Sequence, residues 1–409
     1  MKAQYEVYKL SSSGTRNYVL TLYESFSGQL NRAKTSKFTF SGVCVGAVPL
    51  VLGDRIALVR NEVQIFSGIV TEVSINCDDT ENNIKQWEAT VNGDSIVLTW
   101  RYVFATGNGT SPASIEVAES AFDKLPNNND ANNTQSALNR MLYYIRKHAG
   151  NNAHSSRQLV SVSESDNNSR GTQGRSAYHI KKLSEAIKEI GDQDELYPVV
   201  NTNTNGTRVM TVPSVRDRTG VFVVSPEFGN VSSWSIKRKY PKFNACWVIS
   251  GVGTVNNEDT RVWVYVEDAQ SITKYGRIET VVTKGDIKIV PEGSNNSDVA
   301  PVTLEEVRKL LQEEARAQLQ KGAATEKLTI TMMETETCEF MTDWQLGDKV
   351  KCVIDGTSFE SIIKTVDIKY SNGVETVVPT IGDVENGLYG DIYNMLDGID
   401  KRLKTEEEK

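Results

Sequence analysis

The sequence predicts a mainly β protein with α+β content: two similar antiparallel β-barrel domains produced by duplication, an α+β domain between them, and a C-terminal helix. Three observations carry this. Short β-rich runs separated by polar turns fill both ends of the chain, helical periodicity dominates the middle, and one ordered set of motifs occurs twice, roughly 290 residues apart. At 409 residues the chain is long enough for two to four folding units.

Residues 1–105 are read as the first barrel. Gln4–Leu10 and Tyr18–Tyr23 flank a loop containing Ser11-Ser-Ser-Gly-Thr15 and make a hairpin. Lys37–Phe40, Asp54–Val59, Val63–Asn76 and Ile84–Val91 follow as strands, and many short strands with polar turns suit a barrel or sandwich. Residues 106–230 are read as α+β. Ser111-Pro112 has the N-cap and first-turn proline of a helix start. Thr134–His148 places Leu138, Met141, Leu142 and Ile145 on one face, and Ser176–Ile190 does so with Ile180, Leu183, Ile187 and Ile190 before Gly191. Strands near Tyr197–Asn201 and Thr207–Pro213 complete the unit. The β-pattern returns at Trp234–Lys239 and Ala245–Ser250, and Thr303-Leu-Glu-Glu306 is a capping-box signature opening a helix with Val307, Leu310, Leu311, Ala315 and Leu319 near one face. Strands resume at Lys327.

The repeat is the most informative feature. Lys37-Phe-Thr-Phe40, Leu52-Gly-Asp-Arg-Ile56 and Phe66-Ser-Gly-Ile-Val-Thr-Glu-Val-Ser-Ile75 are answered by Lys327-Leu-Thr-Ile330, Leu346-Gly-Asp-Lys-Val350 and Phe359-Glu-Ser-Ile-Ile-Lys-Thr-Val-Asp-Ile368. Glu88–Asp94 is answered by Glu375–Asp383. Leu-Gly-Asp followed by alternating apolar residues is common in β proteins. Four such motifs in one order point to a duplicated barrel. Asn372-Gly373 predicts a type I′ hairpin turn where the first copy has the longer Cys77–Asn83 segment. Three chains with two similar barrels each would make a pseudo-sixfold ring from a homotrimer.

Composition narrows the function classes. Apolar residues at 39% and charged residues at 24% are ordinary for a globular protein. A formal charge of −8 without a Lys/Arg run argues against gripping nucleic acid, because phosphate neutralisation supplies most of that affinity. Cys44, Cys77, Cys246, Cys338 and Cys352 are widely spaced without a CxxC pair, so small buried thiols are expected rather than zinc or disulfides. There is no apolar signal-peptide core and no apolar run of about 18 residues, so no stable membrane insertion is expected. No HExxH, Gly-x-Ser-x-Gly or phosphate-loop motif accompanies His148, His154 and His179. Asp192 and Asp194 are read as a solvated turn. The expectation is a protein without catalytic, cofactor or metal residues.

The motifs Leu52–Ile56, Phe66–Val73 and Trp344–Val350, with Phe228-Gly-Asn-Val-Ser-Ser-Trp234 and Asn244–Gly251, resemble the tail-hub (baseplate hub) proteins of long-tailed bacteriophages and phage tail-like particles. The resemblance covers most of residues 1–385. It implies two barrels forming a trimeric torus around a channel wide enough for DNA, an α+β unit between them, and an insertion in the second barrel. The second barrel is then 231–264 with 326–385, the inserted subdomain 265–325, and 386–409 a C-terminal helix and acidic tail. Implied partners are tail-tube or distal tail ring proteins above and tip, spike or receptor-binding proteins below, in a virion tail tip assembled from protein made in the host cytoplasm. DNA would pass without specific binding. Many tail-tip proteins continue into a hydrolase or spike; this sequence ends at 409, so such activity is expected on another polypeptide.

Leu388, Ile392, Leu396, Ile399 and Leu403 form an a/d-like seam about two heptads long. It reads either as a helix packed on its own barrel or as a trimer or partner helix. Two other functions compete with the hub. One is host-surface carbohydrate binding through Trp87, Trp100 or Trp263, whose apolar neighbours instead suggest burial. The other is a cell-wall hydrolase, which needs two carboxylates across a cleft.

Overall fold

The computed structural model describes residues 3–381 apart from 12, 22, 80, 105–122, 125–134, 166–168, 175, 179, 193, 256–257, 286, 290–302, 333–334 and 336–337. The helix start expected at Ser111-Pro112, His179 and the seam Leu388, Ile392, Leu396, Ile399 and Leu403 lie outside the described residues. The chain divides into two compact units, one running to Trp234 and resuming at Thr329, the other Ser235–Leu328.

The first unit is built on an 11-stranded sheet. Its N-terminal strands are β1 (Tyr5–Leu10), β2 (Arg16–Val19), β3 (Ser25–Asn31), β4 (Lys37–Val45), β5 (Arg55–Arg60), β6 (Val63–Asp79) and β7 (Ile84–Gly93). They run in the order β3-β4-β7-β6-β5-β1-β2, and beyond β3 the sheet continues into Thr357–Ser371, Lys349–Ile354 and Val223–Val224. Val374–Ile381 pairs antiparallel on Thr357–Ser371. Alternation decides which face is buried: β4 hides Phe38, Phe40 and Cys44 and turns Lys37 and Val43 outward. Phe26, Phe38, Phe40 and Phe66 meet in an aromatic cluster, with Phe38 and Phe66 centroids 4.7 Å apart.

Two separate barrels were expected. The hydrogen bonding instead places strands of both repeat copies in one sheet, and no closed ring of strands is present among the described residues. The reason is β3, a strand that its own sequence does not announce. It pairs β4 on one side and Thr357–Ser371 on the other, sewing the copies together. Ser25-Phe-Ser-Gly-Gln-Leu-Asn31 has only Phe26 and Leu30 as buried apolar anchors, too few for a clear period-2 pattern.

In the α+β part, α1 (Ala137–His148) starts after Ser136, whose hydroxyl accepts from the Asn139 N–H. Its partner α2 (Leu183–Gly191) begins well after the expected Ser176. Ile180–Lys182 is a strand paired with Tyr102–Phe104, so Ile180 stands exposed at an edge and not on a helix face. Leu138, Met141, Leu142 and Ile145 pack with Leu183, Ala186, Ile187 and Ile190, and with Val200 and Met210 of the small sheet, in one core.

The second unit has its own core. Ala245–Ser250 lies between Trp263–Glu267 and Glu279–Lys284, so the strands at Ala245 and Trp263, expected in the second barrel, belong to this separate three-stranded sheet. One face, carrying Cys246, Val248 and Val264, packs on Val307, Leu311 and Ala315 of α4 (Leu304–Gly322); α3 (Ala269–Tyr275) lies between the second and third strands in sequence. Both capping-box bonds of Thr303 and Glu306 form. Leu310, expected on the apolar face, is exposed.

Candidate functional site

The duplicated motifs build the same local structure twice. In the first copy the Gly53 N–H donates to Val70 O at 2.9 Å, Val70 N–H to Asp54 O at 2.8 Å, and Val51 N–H to the Asp54 carboxylate at 2.8 Å. In the second, Gly347 donates to Ile363 O at 2.9 Å, Ile363 to Asp348 O at 2.9 Å, and Gln345 to the Asp348 carboxylate at 2.9 Å. Both glycines have positive φ, +84° and +91°. The hairpins that follow turn at Asn61-Glu62 and Asp355-Gly356, again with positive φ in both residues, the type I′ signature. Each long strand then shifts register at the matching place, between Val70 and Glu72 and between Ile363 and Thr365, and β6 shifts again between Asn76 and Asp79. Asn372 and Gly373 adopt the expected type I′ conformation, at φ 53° and 76°. Turn, hairpin and bulge recur at matching positions.

The copies differ in what covers them. In the second, Thr365–Ser371 receives β3 along one edge, from Thr365 opposite Asn31 to Ser371 opposite Ser25. Arg32, just past β3, covers the second Leu-Gly-Asp turn: its Nη1 donates to Gly347 O at 3.4 Å and its Nη2 to Glu195 O at 3.0 Å. The matching edge of the first copy, Glu72–Asn76, carries no strand among the described residues, since β5 reaches only Ile69 and β7 occupies the other side. Val51 and Leu52 of the first turn stand exposed, at 55% and 67%. One copy is capped and its twin is bare.

Buried ions tie the copies together. Arg60 at the end of β5 holds Glu375 through Nε at 2.9 Å and Nη2 at 3.1 Å, and donates from Nη1 to Phe340 O at 2.8 Å. Tyr5 donates its hydroxyl to the same carboxylate, and burial first, then the Glu375 bond, pushes that phenol well above its usual value. Asp348, fully buried, takes two bonds from Arg216 at 2.8 and 2.6 Å; its twin Asp54 pairs with Lys9 at 2.6 Å. The Leu-Gly-Asp carboxylate thus does two jobs in each copy, closing its turn and anchoring a neighbouring cation.

A cleft of about 470 Å³ in the first unit is lined by Asn31–Ser36, Ser67, Asp94, Lys188 and Tyr197 among others. Burial, with Asp192 nearby, pushes the Tyr197 phenol up to about 12. Asp94 accepts from Ser67 Oγ and Thr202 Oγ1, both at 2.6 Å, and from Arg208 Nε at 3.1 Å. A buried carboxylate with three donors fastens β6 to the strand Val199–Thr202. Asp192 pairs with Lys188, and Asp194 accepts from the Thr172 N–H and hydroxyl, so both stabilise turns. His154 bonds Ser156 in its own turn and His148 is buried at the end of α1. No cluster of three or more potential metal ligands occurs among the described residues. No helix among them is long and apolar enough to cross a membrane.

Four cysteines are buried, Cys77 is exposed, and none forms a disulfide. Burial raises the Cys352 thiol to about 12. The tryptophans divide. Trp87 is buried at 2% exposure, but Trp100 and Trp263 are 44% and 60% exposed, against the expectation of burial. Trp263 lies on the sheet face of the second unit opposite α4, next to Trp247 and Tyr265, because that face has no second layer among the described residues.

Comparison with known proteins agrees with this architecture. The fold is shared with the 43 kDa tail protein of prophage MuSo2 from Shewanella oneidensis, at TM-score 0.54 and 11% identity over 93% of this chain and 98% of that one. It is also shared with the prophage tail protein gp18 from Listeria monocytogenes EGD-e, at TM-score 0.51 and 10% identity over 98% and 99%. No curated protein matches the sequence. Residues 47–383, which take in the second repeat copy and all of the first but its Lys37–Phe40 motif, match the family described as Siphovirus ReqiPepy6 Gp37-like protein, and the chain accordingly belongs to this family.

Proposed function

We propose that the chain is the hub of a phage tail tip or baseplate, a structural rather than catalytic part. Three copies form a ring in which six repeat copies alternate around the axis. Each copy, with its flanking strands, contributes one barrel-like segment. The pseudo-sixfold face meets a hexameric tail-tube or distal tail ring, and the true threefold face receives tip, spike or receptor-binding proteins. DNA passes through the central channel without specific binding, consistent with the chain's charge of −8. The particle's tail tip is its final location after synthesis in the host cytoplasm.

The observation that carries this reading is the duplication at atomic detail: the same turn, hairpin and bulge at matching positions in one chain. The test is solution mass by light scattering after size exclusion, over a concentration series. The expected result is three times the 45.4 kDa chain mass. A stable dimer, or a monomer at every concentration, overturns the ring.

One observation favours a second reading. Trp263, Trp247 and Tyr265 form an open aromatic face, as saccharide-binding proteins use for stacking. A glycan array probed with the wild type and Trp263→Ala separates the two: saccharide binding lost in the variant supports it, and an unbound array removes it.

A further inference from the structure

We infer that the bare edge of β6, Glu72–Asn76, receives the strand Val231–Lys239 of a second copy of this chain. The inference rests on the hub reading and names the contact that closes the ring.

The argument starts from equivalence. The Leu-Gly-Asp turn bonds align Val70 with Ile363, and the register shift that follows in each strand aligns Glu72 with Thr365. Glu72–Asn76 is therefore the twin of Thr365–Lys369, which β3 covers within the chain through paired positions from Asn31 to Ser27. A strand edge left without partners exposes a row of N–H and C=O groups ready to pair with another chain. Here Glu72, Ser74, Ile75 and Asn76 are all exposed.

Equivalence also selects the occupant. β3 is the strand hydrogen-bonded to β4, which contains the motif Lys37–Phe40. The twin motif, Lys327–Ile330, lies in Thr325–Met332, and that strand pairs with Val231–Lys239. Val231–Lys239 is thus the second copy's counterpart of β3. Most of it is exposed, including Trp234 at 42%. Charge agrees with the pairing: in the antiparallel register that β3 takes on its own edge, the Lys237-Arg-Lys239 end of the incoming strand falls at the Glu72 end of β6. Within the chain, copy one caps copy two. Between chains, copy two caps copy one, and repetition of that step closes a ring instead of stopping at a dimer.

Cysteine cross-linking tests the pairing, because facing residues on antiparallel strands lie about 4.5–5.5 Å apart at Cα, within disulfide reach. In a Cys77→Ser background, Ser74→Cys is combined in turn with Ser232→Cys, Ser233→Cys and Ser235→Cys, and each is oxidised mildly. The expected result is reductant-sensitive covalent dimers and trimers from at least one pair, absent from the single-cysteine controls. A trimer by light scattering in which no pair cross-links overturns the edge assignment and leaves the hub reading intact. A monomer at every concentration overturns both. Hydrogen exchange on the unmodified chain checks the same contact without substitution: amides of Glu72–Asn76 should exchange at least tenfold more slowly in the oligomer than in dilute monomer. An equal rate in the two overturns the assignment.

Discussion

Glu375 is the residue on which the two repeat copies depend most directly. Its carboxylate holds the buried Arg60 guanidinium and accepts the Tyr5 hydroxyl, so a single acid satisfies groups from β1 and β5. Glu375→Ala removes the carboxylate that this buried guanidinium holds, and urea unfolding should report a loss of about 3–5 kcal/mol. The double replacement Arg60→Met with Glu375→Leu should recover much of that loss, because two apolar groups leave no orphan charge. Asp367 behaves in the opposite sense. Burial raises its pKa above 3.8, while the Gln29 amide donating at 2.9 Å offsets only part of the effect. A carboxyl whose folded pKa is raised binds its proton more tightly when folded. Its contribution to stability is therefore highest below the unfolded value and falls as pH rises through the folded one. Asp367→Asn should raise the melting midpoint by about 2 °C at pH 7 and change nothing near pH 3. A midpoint lowered at pH 7 would show that the ionised form is instead stabilised.

At the scale of elements, duplication supplies its own control. Gly53 and Gly347 share a positive φ, but a Cβ on Gly53 meets nothing within 4 Å, whereas one on Gly347 would sit 2.3 Å from Arg32 Nη1. Gly53→Ala should therefore cost only backbone strain, about 1–2 kcal/mol. Gly347→Ala should cost about 1–3 kcal/mol more, because it displaces a buried guanidinium from its carbonyl partners. Equal losses in denaturant titrations would mean that Arg32 moves aside freely. The same pair of turns shows what sequence can convey. Leu-Gly-Asp, Asn372-Gly373 and the Thr303–Glu306 box are local devices whose conformation follows from a few side chains, and each formed where expected. β3 was illegible because its place is fixed by its partners on both sides, Phe38 in the next strand and Ile368 far along the chain, and not by its own pattern. Ser176–Lys182 was read as helix on periodicity, yet Tyr102–Phe104 pulls Ile180–Lys182 into a strand pair. Trp263 reads as core by composition, and only the placement of α4 on the opposite face explains why it remains open. The bare β6 edge was equally invisible, since an uncovered edge is a property of topology.

For the whole molecule, the division into two units suggests which part carries the ring. The unit Ser235–Leu328 has a core of its own, with Cys246, Val248 and Val264 packed against Val307, Leu311 and Ala315. Within this unit Lys242 N–H donates to Gly322 O at 2.8 Å, which brings together the chain positions on either side of that core. Apart from the first two residues of Lys327–Ile330, the repeat motifs lie in the other unit, as do β6 and the Arg60–Glu375 tie. Removing 243–321 and joining Lys242 to Gly322 through a short Gly-Ser linker should therefore leave the large sheet folded, since loop closure over a few flexible residues costs little. Calorimetry of the full chain should show two transitions that merge only if the units unfold together, and the excised chain should keep the transition of the large unit within about 5 °C. Because Val231–Lys239 survives the excision, light scattering should still return a trimer. A folded but monomeric product would move the ring contact from the β6 edge to the excised unit, and the open face around Trp263 would then be the first surface to probe.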